Sequence, residues 1–470
     1  SGFRYVKLEN WPEEVKVENF EAVAIYSALQ ETGSFTCSNE LINQFVKNVR
    51  WSQKSNFVDV PTDCPTRERV GWTADISVFA KTACYFTDSS RFLQKWFHDY
   101  ELAQLPDGNL PFAVPAYKKP DDTWGCMGWS NAISNAAMTM YQFYGEKEII
   151  EDVYDTVKRF VEFNIQRAKV NNIKSIIKEW KNRQYIIDTG FHFGEWLEPG
   201  SNMVKDFMEA MLYPDIEVTT AWFYETAKQL AQMARLLNKK EDGKRYAALA
   251  RKLRNVYRER FLKSGGVREK RQCKYVRPLA MHLAEESEAE QIAARLNQMC
   301  VERDYRIGTG FLTTWQILDV LSDNGYVETA YKILENTKQP GWLYTVTKGA
   351  TTTWENWYGI DENNKPTDSL NHYAMGAAVS WLFSHCTGIR PYKPGFEEIL
   401  IKPMPGGSLS HARAEYKSRA GKIVSSWQRE GAQFKLHIET PKGHKTYVEL
   451  PDGSRLESDG GVQEYQCVLK

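Results

Sequence analysis

The sequence predicts a mainly α protein: an (α/α)6 barrel of six helical hairpins, with a C-terminal antiparallel β-sandwich and the tail of a preceding β-domain. Three observations support the prediction. Apolar residues recur with a period of roughly 3.6 between residues 38 and 388, and strand-like alternation lies on either side of that region. A third is that 470 residues are too many for one ordinary core. We therefore expect three regions: 1–36, 37–390 and 391–470.

The first region, residues 1–36, alternates polar and apolar residues as strands do, around Phe3, Tyr5 and then Val15 and Val17. It is too short to bury a core alone. We expect it to hold the last strands of a preceding β-domain, followed by a linker. The chain also starts at Ser1 without Met, so we expect the N-terminus of the full protein to be missing.

The second region has the helical period. Ser38 is expected to cap a first helix that runs through Leu41, Phe45 and Val49. Further helical patterns cover residues 74–86, 89–104, 130–144, 147–170, 217–238, 241–263, 274–284, 286–301, 310–322, 325–336 and 367–387. Helices in consecutive pairs can close into a ring of hairpins. A superhelical stack of pairs is the alternative, but no period of roughly 34 to 47 residues repeats, which favours the barrel.

The third region returns to strands separated by turn residues such as those at 405–407 and 452–453. The expected strands are Glu397–Ile401, Ala412–Lys417, Ile423–Gln428, Gln433–Glu439 and Lys445–Leu450. A segment of this length and texture predicts a small antiparallel sandwich that packs against the barrel.

Composition narrows the classes of function. Lys+Arg and Asp+Glu balance at 60 each, which argues against binding nucleic acid or an anionic membrane. No apolar run is long enough to span a membrane. Fifteen Trp and 24 Tyr suit a site that stacks on sugar rings, although a large core also buries aromatic residues.

The eight cysteines are scattered, with no CxxC pair and no His at zinc-site spacing. We interpret them as reduced and structural, although one or two disulfides stay open, and so does the cellular compartment. The sequence predicts no metal and no cofactor, and it assigns no oligomeric state.

Acidic, basic and aromatic residues are densest between residues 59 and 75. The stretch reads Asp59-Val-Pro-Thr-Asp63-Cys-Pro-Thr-Arg67-Glu68-Arg69-Val-Gly71-Trp72-Thr-Ala-Asp75. Its prolines and glycine predict a rigid loop that enters a helix at about Thr73. Loops on rigid scaffolds often carry function. A purely structural loop, in which Arg67 and Arg69 pair with Asp63 and Glu68, is the alternative.

A second cluster places Glu355 between Trp354 and Trp357. Apolar walls around this carboxyl would raise its pKa, although an aromatic loop that plugs the barrel end would look the same. Smaller clusters put a polar residue beside an aromatic one: Gly128-Trp129-Ser130-Asn131, Phe193-Gly194-Glu195-Trp196-Leu197 and Leu370-Asn371-His372-Tyr373. His372 on its own would more often be a core histidine.

Other catalytic chemistries lack their residues. The sequence has no GxSxG, HExxH or P-loop motif, and no GxGxxG following a strand. Paired carboxylates remain, and they point to acid/base hydrolysis of an acetal.

The motifs resemble those of a known family. The stretch from Asp63 to Asp75 resembles the hallmark of glycoside hydrolase family 78, the bacterial α-L-rhamnosidases. Thr-Thr-Thr-Trp354-Glu355-Asn-Trp and Leu370-Asn-His372-Tyr-Ala resemble that family's second and third motifs, and the stretch from Gly33 resembles its entry to the barrel. The resemblance covers nearly the whole chain, and the first motif is long and specific.

The resemblance implies an inverting mechanism on a rhamnosylated glycoside or polysaccharide. Glu68 would match the general acid, and Glu355 the base that activates water. The implied sugar-binding residues are Asp63, Arg67, Trp72, Asp75, Trp129, Glu195, Trp196 and His372. For a bacterial protein of this kind we expect the periplasm or the cytoplasm, without a choice between them.

Two positions depart from the family pattern, which often has Asp where this chain has Asn131 and Glu195. They weaken the identity of the sugar more than the type of reaction. The alternatives are therefore a six-hairpin glycosidase for a different sugar, a sugar-binding paralogue without catalysis, and a structural helical scaffold. The presence of both proposed carboxylates argues against the second, and the polar–aromatic loops against the third.

Overall fold

The structure is a computed structural model, and it describes residues 5–117, 124–170, 180–200, 207–210, 213–262, 270–361, 363 and 365–469. Helices dominate its first four-fifths. They are α1 Glu40–Asn56, α2 Thr73–Phe86, α3 Ser90–Ala103, α4 Ala132–Tyr144, α5 Glu148–Arg167, α6 Ile216–Leu236, α7 Lys240–Phe261, α8 Cys273–Ala280, α9 Glu286–Glu302, α10 Ile317–Asp323, α11 Val327–Leu334 and α12 Trp342–Thr347. A last helical segment spans residues 373–386 and combines 3-10, α and π geometry.

Most helix ends lie close to the predicted positions because they carry local stop and start signals. Asn39 caps α1, since its side chain accepts hydrogen bonds from the amides of Leu41 and Ile42. The expected cap Ser38 was therefore wrong by one residue. Gly145 ends α4 with a left-handed φ of 71°, as glycine commonly does. The short helix α12 was not predicted.

The helices pack in sequential pairs, with α4 against α5, α6 against α7 and α10 against α11. One helix of this arrangement is buried along almost its whole length. Every residue of α2 except Lys81 is buried, and α2 contacts both α4 and the last helical segment. A helix that is apolar on all sides is enclosed by its neighbours. The first residues of α2 thus stand on a rigid base.

In the described part of the chain nine strands form the β-sandwich, eight of them after the helices and one, β1, before them. They are β1 Gly33–Cys37, β2 Ile389–Pro391, β3 Ile399–Ile401, β4 His411–Ser418, β5 Gly421–Glu430, β6 Gln433–Thr440, β7 Thr446–Glu449, β8 Arg455–Ser458 and β9 Gly461–Val468. One sheet has the order β1-β4-β5-β6-β9 and the other β2-β3-β7-β8. Since β3 and β7 pair in parallel, the expectation of a fully antiparallel sandwich was wrong. The chain leaves the second sheet after β3 and returns to it only at β7.

The strands predicted for the first region were wrong for the residues that the structure describes. Between residues 5 and 32, the described chain forms only the 3-10 turn Val17–Asn19 and an isolated bridge from Glu31 to Thr87. Apolar side chains there, such as Tyr5 and Val17, are exposed. Alternation alone builds no strand without a partner strand to bond. β1 does have one, because Gly33–Cys37 pairs antiparallel with β4 of the sandwich.

The helical part and the sandwich share one apolar core. The ring of Tyr85 on α2 stacks on Phe383 at a centroid distance of 4.7 Å and meets Tyr416 of β4 edge-on at 5.4 Å. Trp427 of β5 is buried, and its indole N–H donates to the carbonyl of Cys386 at 2.8 Å. All eight cysteines are buried and unpaired, as interpreted from the sequence. Among the described helices, none is long and apolar enough to cross a membrane.

Candidate active site

The loop before α2 is closed by a pair of hydrogen bonds. The backbone N–H of Asp63 donates to the carbonyl of Val70 at 2.9 Å, and the N–H of Val70 donates to the Asp63 carboxylate at 2.8 Å. Between them, the N–H of Glu68 donates to the Cys64 sulfur at 3.3 Å. Pro61 at the start of this loop is buried, whereas Arg67 and Glu68 are exposed at its tip.

The entry to α2 ties this loop to its neighbours. The Thr73 hydroxyl reaches the carbonyls of Phe112 and Trp129 at 2.9 and 2.8 Å. Gly71 lies so close to the carbonyl of Val114 that an added Cβ would be 1.9 Å from that oxygen. Only glycine permits this approach. The loop of the first motif, residues 59–72 (the motif loop), is therefore held by its backbone against the loop at 110–117.

Glu355 is held by a second pair of segments. Its backbone N–H donates to the carbonyl of Ser369 at 2.9 Å, and the N–H of Ser369 donates to its carboxylate at 3.1 Å. The N–H of His372 bonds to the carbonyl of Thr353 at 2.8 Å. The second and third motifs thus run side by side, and Glu355 is buried at the point where they meet the first.

The three motifs meet at one pocket, which has a cavity volume of about 120 Å³ and opens to solvent. Its lining combines two carboxylates from different loops with a set of aromatic rings. It consists of Arg67, Glu68, Trp72, Asp75, Trp129, Phe193, Trp196, Leu197, Phe311, Glu355 and His372. A pocket that combines aromatic rings with a few polar side chains suits a small polar ligand that also has apolar faces.

Arg67 joins the first motif to the second. One guanidinium nitrogen is 3.1 Å from a carboxylate oxygen of Glu355 and 3.1 Å from one of Asp368. Asn356 donates to the other oxygen of Asp368 at 3.2 Å. Because Arg67 is partly exposed, it can orient Glu355 and still reach a ligand.

Both proposed catalytic carboxyls have a raised pKa. For Glu68 the main cause is desolvation at the crowded pocket mouth, opposed by a hydrogen bond from the Trp72 indole N–H and reinforced by the charge of Glu355. For Glu355 the main cause is burial, which the Ser369 amide and Arg67 oppose. Raised values suit groups that exchange protons near neutral pH.

Asp75 and His372 form the floor of the pocket. A ring nitrogen of His372 is 3.2 Å from the Asp75 carboxyl, and both side chains are buried. Burial lowers the pKa of His372 to about 4, so the ring is neutral at neutral pH. Burial, reinforced by the charges of Asp63, Glu355 and Glu68, raises the pKa of Asp75 well above its usual value. Burial therefore favours the uncharged form of both groups at the floor.

Eight of the ten predicted site residues line this pocket; the other two, Asp63 and Glu195, do not. Asp63 is buried behind the loop it closes. The Glu195 side chain is fully buried, paired with Arg277 and bonded to Thr313. A direct contact between Glu195 and a sugar does not fit this position.

Sequence reasoning missed Phe311 as a lining residue, and it named Phe193 and Leu197 only as neighbours of Glu195. Phe311 stacks on Trp129 at a centroid distance of 5.8 Å. Its only signal in the sequence is the flanking glycine Gly310, a cue too common to single it out.

The departure at Asn131 also lies outside the pocket lining. Its side-chain oxygen accepts a hydrogen bond from the N–H of Gly128 at 2.7 Å, just before α4. Asn131 is buried, and it shapes the turn that presents Trp129. Among the described residues, no group of three or more His, Cys, Asp or Glu side chains is placed to hold a metal ion.

A helix-rich domain whose loops gather carboxylates and aromatic rings into one pocket is typical of helical glycoside hydrolases. Comparison with known proteins narrows the class. The bacterial α-L-rhamnosidase six-hairpin glycosidase domain matches residues 30–386, and the bacterial α-L-rhamnosidase C-terminal domain matches residues 388–464. The chain belongs to the bacterial α-L-rhamnosidase family.

Individual relatives agree with this assignment. The chain is 31% identical to an α-L-rhamnosidase of Streptomyces avermitilis, over 96% of its own length and 42% of the relative's. It is 32% identical to one of Formosa agariphila, over 96% and 47% of the two chains. The chain thus spans about half the length of the curated relatives it matches.

Solved structures show the same similarity. The crystal structure of the Streptomyces avermitilis α-L-rhamnosidase complexed with L-rhamnose superposes with a TM-score of 0.84 and 29% identity, covering 94% of this chain and 43% of that one. The α-L-rhamnosidase of Aspergillus terreus superposes with a TM-score of 0.85 and 31% identity, covering 94% and 51%.

Proposed function

We propose that this chain carries the catalytic domain of an inverting α-L-rhamnosidase, which removes terminal α-L-rhamnose from glycosides or polysaccharides. The observation that carries the proposal is the shared pocket of Glu68 and Glu355, two carboxyls with raised pKa values on loops from opposite ends of the helical region. Family membership supports the choice of sugar.

We propose further that the helices close into an (α/α)6 barrel. Contacts run from α2 to α4 to α6, from α8 to α10, and from the last helical segment back to α2. This succession fits an inner ring of helices that includes the buried helix α2. A closed ring explains how residues near 68 and 355 come to face one pocket.

In this mechanism Glu68 is the general acid. A carboxyl at the pocket mouth can reach the glycosidic oxygen, because the leaving group must point toward solvent. Its raised pKa keeps a proton available, and the bond from the Trp72 indole fixes its orientation. As the C–O bond breaks, the proton passes from Glu68 to the leaving oxygen.

Glu355 is the base on the opposite face of the sugar ring. Its carboxylate would take a proton from a water molecule as that water attacks the anomeric carbon, which inverts the configuration. An inverting site needs its two carboxyls about 6.5–9.5 Å apart, which leaves room for this water. The Ser369 amide and Arg67 hold Glu355 in place for the attack.

The remaining lining residues would bind the sugar. Arg67, Asp75 and His372 offer directional hydrogen bonds to hydroxyls, and Trp72, Trp129 and Trp196 offer apolar faces that suit the C5 methyl group of rhamnose. A contact of Asp63 with the sugar stays a prediction. Since neither Asn131 nor Glu195 lines the pocket, these two departures give little support to a different sugar.

The test is hydrolysis of p-nitrophenyl α-L-rhamnoside, with the α-glucoside and β-glucuronide as controls. We expect the rhamnoside alone to be cleaved, and β-L-rhamnose to be the first product seen by NMR. Release of the α anomer first would contradict inversion. No cleavage of any substrate by a folded chain would contradict the proposed activity of this domain.

Two variants assign the roles. Glu355→Gln should lower kcat by several orders of magnitude for every substrate, because water activation is always required. Glu68→Gln should be as severe for alkyl rhamnosides but much milder for dinitrophenyl rhamnoside, whose leaving group needs no proton. If Glu68→Gln lowers kcat by the same factor on both substrates, Glu68 is not the acid. A loss within about tenfold would exclude the acid role as well.

A further inference from the structure

Four apolar residues form one side of the pocket: Phe193, Trp196, Leu197 and Phe311, here called the apolar wall. They belong to two segments, 191–197 and 307–313, and neither segment forms a helix or strand there. Irregular backbone has no ladder of hydrogen bonds to fix its position. Other interactions must therefore hold the apolar wall in place.

Glu195 lies between these two segments, and its side chain is fully buried. One carboxylate oxygen accepts hydrogen bonds from the Thr313 N–H at 3.0 Å and from the Thr313 hydroxyl at 2.6 Å. The backbone adds a further bond, from the Phe311 N–H to the Trp196 carbonyl at 2.7 Å. The space is tight, since a Cβ on Gly310 would be 2.8 Å from Cγ of Glu195.

The other oxygen of Glu195 pairs with Arg277 of α8, whose side chain is also fully buried. Arg277 in turn lies 2.6 Å from Glu217 of α6. Glu217 is 2.9 Å from Lys274 and accepts a hydrogen bond from the Tyr257 hydroxyl of α7. Glu195 therefore connects the apolar wall to three packed helices.

Two more cations near Arg277, Arg271 and Lys274, also make ion pairs with neighbouring carboxylates. Arg271 lies 2.8 Å from the carboxylate of Glu198 and 3.5 Å from that of Asp215, the N-cap of α6. Lys274 also pairs with Asp215 at 2.8 Å. A buried network in which each charge has a partner fixes geometry more than it adds stability.

We propose that Glu195 is a positioning residue which, through Thr313 and Arg277, holds the apolar wall of the pocket and thereby sets its affinity for the sugar. The inference rests on the proposed function of this pocket as a sugar site. Glu195 touches neither the pocket surface nor the proposed acid and base, so its effect reaches a ligand through Trp196 and Phe311. Loss of the tie should weaken sugar binding more than it slows proton transfer.

The burial of Glu195 supports this role. Burial is the main cause that raises its pKa to about 7, even though Arg277 opposes the shift. Three cations of α8 and its approach, Arg271, Lys274 and Arg277, face four carboxylates: Glu195, Glu198, Asp215 and Glu217. Both oxygens of Glu195 accept from these fixed partners, Oε2 from Arg277 and Oε1 from Thr313, so the carboxyl is held from two sides.

The experiment compares Glu195→Gln and Thr313→Val with a matched control, Thr226→Val. Thr226 is also buried, but its hydroxyl bonds only within α6, to the carbonyl of Trp222. Thr313→Val is the milder change, because it removes one hydroxyl and keeps the shape of the side chain. Three quantities are measured: amide hydrogen exchange, the Kd for L-rhamnose by calorimetry, and kcat and KM on p-nitrophenyl α-L-rhamnoside.

We expect Thr313→Val and Glu195→Gln to increase exchange in the peptides covering 191–197 and 307–315, with α6 and α7 still protected. The L-rhamnose Kd and KM should rise by about tenfold or more, while kcat changes less and the pH limits of activity stay in place. Thr226→Val should change none of these.

Two results would overturn the inference. Unchanged exchange together with unchanged binding would mean that Glu195 holds nothing that matters to the pocket. Unchanged exchange with lost binding would mean that Glu195 contacts the sugar directly. Because exchange needs no activity, a failure of the proposed function, seen as no rhamnose binding or cleavage by the wild-type chain, is distinguishable from a failure of the positioning role.

Discussion

Arg67 shows how single contacts set the chemistry of the pocket. Its guanidinium lies between the carboxylates of Glu355 and Asp368, and its charge lowers the pKa of Glu355 against the effect of burial. In the proposed mechanism, Glu355 must be ionised to accept a proton from water. The lower pH limit of activity therefore depends on Arg67.

Replacing Arg67 by Met tests this dependence. Without the positive charge, the pKa of Glu355 rises further, so the acid limb of the kcat/KM profile should move to higher pH. The limb is measured from the pH dependence of p-nitrophenyl α-L-rhamnoside hydrolysis. Arg69→Met, at the neighbouring exposed arginine, removes an equal charge outside the contact with Glu355 and should shift the limb less. An acid limb that stays in place in Arg67→Met would contradict the role of Glu355 as the base.

The residues of the three motifs could be found from the sequence because their types are unusual neighbours of one another. Glu68 and Glu355 needed no structure to be singled out as candidates. Phe311 and Arg277 could not be found in this way, since each acts through a contact with a distant segment. Glu195 was predicted on a pattern, and only its burial against Thr313 shows that it lies behind the pocket.

At the scale of elements, the site depends on close approach of backbones. The motif loop and the loop at 110–117 touch at Gly71, whose carbonyl accepts the N–H of Val114 at 2.8 Å. At Gly71 itself the contact is made by backbone atoms, and the bond from the Thr73 hydroxyl to the Phe112 carbonyl lies beside it. The position of Glu68 is therefore set a few residues away, where the loop meets its neighbour.

Gly71→Ala should displace the motif loop. The added Cβ would overlap the Val114 carbonyl, so the two backbones must move apart. The bond from the Val114 N–H to the Gly71 carbonyl would then be lost. We expect the free energy of unfolding to fall by about 1–3 kcal/mol and kcat/KM to fall at least tenfold. Thermal melting and hydrolysis of the rhamnoside measure the two effects.

Gly243→Ala is the matched control, because the nearest atom to its added Cβ is 3.4 Å away and the position lies inside α7. Alanine there should leave activity unchanged and raise stability by up to about 1 kcal/mol. If Gly71→Ala behaves like Gly243→Ala, the close approach does not hold the loop.

Most helices were predicted well because they bury apolar residues at helical spacing and end at local signals such as Gly145. The six-residue helix α12 is too short to show that period. The strands of the first region were predicted wrongly, since alternation indicates a face but not a partner strand. No strand was predicted at β1, because its residues were interpreted as a linker and the entry to the barrel. Its partner is β4, almost four hundred residues later. The parallel pairing of β3 and β7 likewise depends on contacts that no local pattern records.

At the scale of the whole molecule, the continuous core predicts a single unfolding transition. Trp427→Ala removes a buried indole and its bond to Cys386, which should cost about 3–5 kcal/mol. If the sandwich and the helical part unfold together, calorimetry should show one peak that moves to lower temperature as a whole. Val462→Ala, at an exposed position of β9, should leave the peak in place. Two separated peaks, of which only one moves, would show that the parts unfold independently.

The pairing of β1 with β4 has a consequence for synthesis on the ribosome. β1 leaves the exit tunnel before the helical region, yet its partner His411–Ser418 is made only after that region. During that interval β1 has an unpaired edge, which is a site for aggregation. Nascent chains that stall before β4 should therefore depend on chaperones more than finished chains do, and the release of chaperones would mark the moment at which the two ends of this unit meet.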